Sequence, residues 1–453
     1  MKLNIYIFLI LYIININSIL EIKGYPQSKE NVISLKLANA IKIQTISYGS
    51  YDVNSKKDNQ QFDEFIKYLR VTFPLIHNKL KVNIINNHSL LYQWEGKNKD
   101  LLPILINSHY DVVPVDKSSW TVDPFGGVIK DGYIWGRGAI DDKSSVIASM
   151  EAVEYLLSQS LTLKRSIYLA IGHDEELQGA QGHKKIAEYL MNNKIKAEMI
   201  IDEGNPLREA GYMGVKNKTS VIGVYEKGSL FYTISANGTT GHSSMPPSLK
   251  SPIGILAKAI IKLESNPVPY FEDKQYQNPY LDLFSPEQIS TNPSLYYIKR
   301  TTTTVTMFNS GIKPNVLPVS ATAWVSHRVA PGIDIPSLVE RNIKLINDTR
   351  ITLKVLSTRP LSPYSSPNST SYNAVKQTIL RVFGDNTEVY SGGMLANTDT
   401  IHYWHISPNI FRITPIIVND NDYGIHKSDE KLSTTNLLNF VNFYENLILN
   451  MNK

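Results

Sequence analysis

The 453-residue sequence contains no cysteine. That excludes a disulfide framework, a thiolate metal ligand and a cysteine nucleophile. Histidine and carboxylate side chains are left as the strong metal donors. The chain also lacks a lysine- and arginine-rich cluster. Its 46 basic residues stand against 41 acidic ones, a net charge of +5 that reads as solubility and not as a nucleic-acid footprint. There is no Gly-x-Ser-x-Gly element, and Gly241-His242-Ser243-Ser244-Met245 does not supply one, which argues against a serine hydrolase. No apolar run reaches the roughly 20 residues of a membrane span. Residues 5–14 form a short apolar core behind a single basic residue, Lys2, and read as a signal peptide over residues 1–23. Asn15-Ile16-Asn17-Ser18 matches a small-residue cleavage site poorly, so an uncleaved anchor is the alternative. The expectation is a secreted or a vacuolar or lysosomal protein. Sequons at Asn87, Asn217, Asn237, Asn347 and Asn368 fit a glycoprotein on that route.

What the chain does have is ordinary globular composition, 42% hydrophobic and 19% charged, at a length that suits two domains. Three apolar runs end in acidic or histidine clusters. Residues 101–107 lead into Ser108-His109-Tyr110-Asp111, residues 166–171 into Gly172-His173-Asp174-Glu175-Glu176, and residues 197–201 into Asp202-Glu203-Gly204. Sites in open α/β sheets form beyond the carboxyl ends of parallel strands, so the three clusters suggest one edge and a metal centre. Strands alternating with helices, among them a long helix after Asp141-Asp142-Lys143, predict a doubly wound, mostly parallel α/β sheet. From about residue 216 the pattern changes to β-formers around two helices, predicting an inserted α+β lid or dimerisation domain. The expected boundaries are 24–225 and 351–453 for the catalytic domain and 226–350 for the insert. Residues 266–295, rich in proline and asparagine, read as a long loop or lid segment.

Two neighbouring carboxylates repel unless a cation or a proton offsets them. Adjacent residues in extended backbone face opposite sides, so one of Glu175 and Glu176 can bind a metal while the other faces a substrate. His109-x-Asp111 suggests a ligand imidazole oriented by a carboxylate. Ile425-His426 offers a further histidine after an apolar run. Several of these residues have plainer readings. Asp141 taken alone is a commonplace helix N-cap, Asp142 and Lys143 suit a helix start and packing, and Tyr110 suits packing. His173, His402 and His405 suit structural roles.

Taken in order, Ser108-His109-Tyr110-Asp111, Gly136-Arg137-Gly138-Ala139-Ile140-Asp141-Asp142-Lys143, Asp174-Glu175-Glu176, Asp202-Glu203-Gly204, Gly241-His242-Ser243-Ser244 and Ile425-His426 resemble the M20 metallopeptidase family. Gly172-His173-Asp174-Glu175-Glu176, Glu226-Lys227-Gly228-Ser229, Arg300-Thr301-Thr302-Thr303 and Asn397-Thr398-Asp399-Thr400 point to its carboxypeptidase S and N-fatty-acyl-amino-acid synthase/hydrolase branch. The resemblance implies two zinc ions per subunit, with Asp141 bridging, His109 and Asp202 completing one site and Glu176 and His426 the other. Glu203 stands beside Asp202 as an alternative ligand. It implies Glu175 as general base and acid, Asp111 behind His109, and His242 as an oxyanion-stabilising group, often across a dimer interface. Asn315 and Arg328 match substrate-binding positions, and Arg328 suits a substrate carboxylate. Gly392 and Gly393 suit a close approach of backbone to substrate. The implied activity is a carboxypeptidase; an N-acyl-amino-acid amidohydrolase or synthase is the alternative, and a non-catalytic binding protein on the same fold stands behind both. The implied substrates are a peptide or an N-acyl amino acid, with a possible homodimer through the insert. One departure from the branch is Ile401, where relatives tend to carry a cation.

Overall fold

The computed structural model describes residues 25–48, 56–246, 248, 250–271, 273–419 and 424–452. The expected signal peptide lies outside them. The class is mixed α/β on a large, mostly parallel sheet, as expected. Tertiary contacts divide the chain into two units. One holds residues up to Ile186 with Ala374–Asp385 and residues from Pro415. The other holds Ala187–Asn373 and Asn386–Thr414.

In the first unit the strands run in the order Lys81–Ile85, Ser89–Trp94, Ile167–Gly172, Ile104–His109. The first two junctions are antiparallel and the last is parallel. Every residue of Ile104–His109 and Ile167–Gly172 is buried, the signature of strands covered on both faces. The helices Glu30–Lys42, Lys143–Ser158 and Thr434–Met451 pack on one another. Lys143–Ser158 is buried nearly all round, so its buried carboxylate, Glu151, must be paired. Glu151 accepts from Tyr25 Oη at 2.6 Å and from Lys36 Nζ at 2.5 Å. The hairpin Val128–Lys130 and Tyr133–Trp135 turns at Asp131-Gly132 and pairs with Lys431–Ser433.

In the second unit Thr219–Glu226 pairs in parallel with Glu388–Met394 and antiparallel with Ile410–Val418 at Arg412. The strand Met199–Arg208 is longer than expected: Asp202-Glu203-Gly204 lies inside it and not beyond its end. Gly204 permits this, because a Cβ there would sit 2.3 Å from the carbonyl carbon of Arg412 on the adjoining strand. A separate antiparallel sheet runs Thr304–Ser310, Ser320–Val329, Gly228–Asn237, Ile351–Arg359. Alternate residues Leu230, Tyr232, Ile234 and Ala236 turn inward and meet Ile255, Leu256, Ala259 and Leu263 of the helix Pro252–Ser265. Ser251 caps that helix by accepting from Gly254 N, with Pro252 in the first turn. The helix Ile335–Ile346 repeats the device, with Asp334 accepting from Ser337 N. Thr304–Ser310 is an edge strand that leaves Met307 and Phe308 in solvent.

The lid segment is not a bare loop. It folds into the short helices Pro279–Leu283, Pro286–Thr291 and Pro293–Lys299. Each opens on a proline, and Ser285 and Asn292 cap the last two by accepting main-chain N–H groups. Three of the five prolines that suggested a loop, Pro279, Pro286 and Pro293, are therefore helix starts.

Candidate metal centre

His109 closes a fully buried strand and is itself 2% exposed. Its Nδ1 donates to Asp111, to Oδ1 at 3.2 Å and to the carbonyl at 3.1 Å, and Nε2 faces Asp141 Oδ1 at 3.0 Å. The other oxygen of Asp141 lies 3.1 Å from His426 Nε2, and His426 Nε2 is also 3.1 Å from Glu176 Oε1. One carboxylate is thus shared between two imidazoles. Asp141, Glu176 and His426 each offer a ligand atom within 4.8 Å of one another.

Each side chain is held by its surroundings. Asp111 is wholly buried and accepts from Ser47 Oγ at 2.6 Å and from the main-chain N–H groups of Glu175 and Glu176 at 3.0 and 3.1 Å. It therefore fixes both His109 and the turn that carries the two glutamates. Glu175 and Glu176 open the 3-10 turn Glu175–Leu177 and do not continue the strand. Asp141 is not a helix cap. Its N–H and that of Ile140 are taken by Glu430 at 3.2 and 2.8 Å, and Glu430 also receives Arg137 at 2.6 Å. Asp142, at the cap position, accepts the His109 N–H at 3.2 Å instead of capping its own helix. His426 adopts φ of 60° in a turn pinned by Ser119 to Ser428 at 2.6 Å and by Thr121 N to Asp429 at 2.8 Å.

The electrostatics ask for a cation. Hydrogen bonds to Asp141 and then Glu176 raise His426 to about 10, so an imidazolium offsets two carboxylates. Burial pushes Asp141 up, but the hydrogen bonds of His109 and His426 outweigh it and hold the carboxyl below its ordinary range. Burial raises Glu176, opposed by His426. Burial also raises Asp111, and the hydrogen bond and charge of His109 with the bond of Ser47 bring it below the ordinary value. Two imidazoles and two acidic groups with no sulfur form a donor set that suits zinc, so the residues present fit a bound metal.

The plainer readings hold where the structure places packing groups. Lys143 is wholly buried, donates to the carbonyls of Ala40 and Ile43, and is lowered to about 7 by burial. Tyr110 stacks on Phe65 with ring centres 4.6 Å apart. His173 bonds Ser89 Oγ at 2.7 Å.

In the second unit, His242 and Asn315 meet in a small bridge. His242 pairs with Val316, and Ser243 N donates to the Asn315 carbonyl at 3.2 Å. His242 Nδ1 accepts from Ser244 N and faces Ser244 Oγ at 2.7 Å, which leaves Nε2 as the outward donor on an exposed ring. Arg328 Nη1 donates to Asn397 Oδ1 at 2.6 Å. Asp202 is 4% exposed, and its charge acts with burial and Asp399 to push the buried Tyr403 phenol well above its ordinary value. Beside Gly393 a Cβ would lie 2.4 Å from Tyr225 Cζ, and beside Gly392 2.8 Å from Asn278 Oδ1, so neighbouring side chains fill the space that both glycines leave. His402 lies 3.8 Å from Asp399.

The sequence reading missed Glu430, Ser47 and Asn397. Glu430 follows His426 by four residues and was legible only as one more acid. Asn397 belongs to a quoted motif, but its partner Arg328 is 69 residues away. The same motifs now have structural roles. Glu226 takes Arg412 Nε at 2.7 Å and the hydroxyls of Thr398 and Thr400 at 2.6 and 2.8 Å. Thr301 and Thr302 accept from Ala330 N and Arg328 N.

A family model described as peptidase family M20/M25/M40 matches residues 105–450. A protein of Dictyostelium discoideum named probable carboxypeptidase S-like 1 is 42% identical over 98% of this chain and 92% of its own length. The N-fatty-acyl-amino acid synthase/hydrolase of Xenopus tropicalis is 34% identical over 94% and 86%. Among solved structures, an M20 family metallo-carboxypeptidase from Sulfolobus solfataricus superposes with a TM-score of 0.69 at 20% identity, covering 92% of this chain and 98% of its own. Human carnosine dipeptidase 1 gives 0.71 at 15%, covering 93% and 96%. With the histidine and carboxylate centre in place and the family model matching from the His109 strand to the final helix, the chain belongs to peptidase family M20/M25/M40 and is an enzyme of that metallopeptidase family.

Proposed function

We propose that this enzyme is a di-zinc carboxypeptidase that cuts an amide bond next to a free C-terminal carboxylate. The observation that carries the reading is Asp141 shared between His109 and His426 at 3.0 and 3.1 Å. His109, Asp141, Glu176 and His426 would hold the ions together with one member of the Asp202–Glu203 pair. Asp202 was the expected ligand. Glu203, next to it in the same strand, faces the opposite side and is the alternative. Bound zinc supplies Lewis acidity for the scissile carbonyl and for water. Glu175, anchored through its N–H to Asp111, takes a proton from water and returns it to the leaving amine. His242 Nε2 stabilises the oxyanion, and Arg328 with Asn315 receives the substrate carboxylate. Catalytic segments 24–225 and 351–453 would flank a lid of residues 226–350, whose exposed edge strand Thr304–Ser310 suits pairing with a second copy. Exposed sequons at Asn87, Asn237 and Asn347 support passage through a secretory route.

A second reading, an N-acyl-amino-acid amidohydrolase or synthase, is favoured by the relatives so named. Purified protein assayed on Gly-Leu-type peptides and on N-oleoyl-phenylalanine, with chelator, with added zinc and as Glu175→Gln, separates the two. Peptide cleavage abolished by chelator and by the substitution supports the carboxypeptidase. Cleavage of the acyl amino acid alone supports the second reading. Zinc binding without either activity sinks both and leaves a binding protein.

A further inference from the structure

The antiparallel sheet of the second unit carries two arginines in one row. Ser229 pairs with Arg328 on one side and with Arg359 on the other. Residues directly opposite one another in an antiparallel sheet point to the same face. The face opposite to theirs is the one that Leu230, Tyr232, Ile234 and Ala236 bury against the helix Pro252–Ser265. Strands lie about 4.8 Å apart, so the two arginine backbones are on the order of 10 Å apart, with only a serine side chain between them. Both guanidiniums then turn to consecutive residues. Arg328 Nη1 donates to Asn397 Oδ1 at 2.6 Å, and Arg359 Nη2 donates to the Thr398 carbonyl.

The row is short of negative charge. Glu226 is the carboxylate beside it, and Glu226 is committed elsewhere. Its Oε1 takes Arg412 Nε at 2.7 Å and the hydroxyls of Thr398 and Thr400, and both members of that ion pair are 1% exposed. Arg359 Nη2 comes no nearer to Glu226 Oε2 than 3.8 Å, and Arg359 Nε is buried without a hydrogen-bond partner. Arg328 has an amide and not a carboxylate at its tip. The remaining cation, Lys227, is buried and donates to the carbonyls of Tyr297 and Arg300. Burial, then Arg328, lowers it to about 7, so it can give up its charge. Arginine cannot. With Arg412 matched by Glu226, two guanidiniums remain to be neutralised, and each has the planar fork that suits a carboxylate.

We propose that Arg359 is a specificity-determining residue, which receives the side-chain carboxylate of a substrate ending in aspartate or glutamate while Arg328 holds the α-carboxylate. The proposal rests on the carboxypeptidase reading, in which Arg328 takes the terminal carboxylate, and it names the substrate class of that site. Ser229 keeps the space between the two forks open, and Asn397-Thr398 holds them at a fixed spacing.

The test is binding and not turnover, so that it survives failure of the activity reading. Gly-Glu, Gly-Asp, Gly-Gln and Gly-Leu are titrated calorimetrically into the zinc-loaded Glu175→Gln enzyme, and each variant below is made on that background. Gly-Glu binds at least about tenfold tighter than Gly-Gln, its neutral isostere, the worth of a hydrogen bond to a charged group. Arg359→Gln brings that ratio below about threefold by weakening Gly-Glu, and Arg359→Lys, which keeps the charge without the fork, retains part of it. The lysine variant and the peptide ratio of the parent carry the test where Arg359→Gln does not fold. Equal affinity for Gly-Glu and Gly-Gln overturns the proposal. So does an Arg359→Gln variant that weakens both peptides equally, which would make the arginine a structural partner of Thr398. Inorganic phosphate competing as well as Gly-Glu overturns it too, by assigning the pair to a free oxyanion. A preference for Gly-Glu in a protein whose parent cuts none of these peptides upholds the arginine pair and sinks the carboxypeptidase reading alone.

Discussion

Arg328 is not a free side chain: its Nη1 is held 2.6 Å from Asn397 Oδ1, and the same amide donates from Nδ2 to the Lys227 carbonyl at 2.7 Å. The arginine is clasped from its main chain as well, where its N–H meets Thr302 Oγ1 at 3.1 Å. Asn397 is the right residue for the bridge because an amide both accepts and donates. Burial and the neighbouring Arg359 lower Arg328 from its usual value, with Glu226 opposing, so the guanidinium sits among like charges and suits an anionic guest.

Asn397→Ala is expected to raise KM for carboxylate-bearing substrates by about tenfold or more, the worth of a hydrogen bond to a charged group, with kcat within about twofold. Asn397→Asp keeps the acceptor but loses the donor and neutralises Arg328, so it raises KM too. Steady-state kinetics on a substrate and on its C-terminal amide check the argument. A fall in kcat with unchanged KM would place Asn397 elsewhere in the mechanism.

The metal centre was legible because its chemistry is carried by residue types at strand ends. His109, Asp111 and Glu176 each follow an apolar run, and no plain core needs such groups in that place. The clasp on Arg328 was not legible, since it depends on a main-chain carbonyl and on residues far apart in the chain. The lid was misread for a related reason. Proline in isolation marks a break, and only the following turn shows that Pro279, Pro286 and Pro293 start helices. The strand through Asp202 ran on because a neighbouring backbone, invisible in sequence, lies against Gly204.

Glu430 is expected to be as important to the centre as a ligand. It is wholly buried, pairs with Arg137 at 2.6 Å and receives the main-chain N–H groups of Gly138, Ile140 and Asp141. Glu430→Gln leaves Arg137 buried without its counter-charge, which costs about 3–5 kcal/mol. Chemical denaturation measures the loss, and zinc titration of the folded fraction measures weaker binding as Asp141 is freed. A variant as stable as the parent would mean that water replaces the carboxylate.

Asp111→Asn tests the orientation of His109. An amide can still accept from Nδ1, but it no longer favours the Nδ1–H form by charge and loses one of its two N–H acceptors from the glutamate turn. Zinc affinity is expected to fall about 10- to 100-fold, the usual effect of losing a partner behind a ligand imidazole. Competition with a chromophoric chelator reads it directly, and unchanged affinity would show that the His109 position is set by the strand alone.

Gly393→Ala separates packing from substrate approach. The added methyl meets the Tyr225 ring, and overpacking of this kind costs about 1–3 kcal/mol. A lower melting temperature is therefore expected, with kcat/KM changed little at temperatures where the variant stays folded. A loss of kcat/KM at an unchanged melting temperature would instead mean that the glycine faces the reacting substrate.

Glu445 gives the protein a pH dependence away from the metal. Its carboxylate is fully buried, accepts from Tyr25 N at 2.8 Å and is raised to about 7, by burial first, with the Tyr25 bond and Arg381 opposing. A carboxyl whose folded pKa exceeds its unfolded value stabilises most in its protonated state. That stability is fully present below the ordinary glutamate range of about 4.5 and is lost as the pH rises through about 7. Glu445→Gln keeps an acceptor for Tyr25 and never ionises. Its melting temperature should match the parent near pH 4.5 and exceed it by a few degrees at pH 8, with the gap opening between those values. A gap that is constant with pH would show that Glu445 stays ionised in the folded protein, paired closely enough with Arg381 to offset its burial.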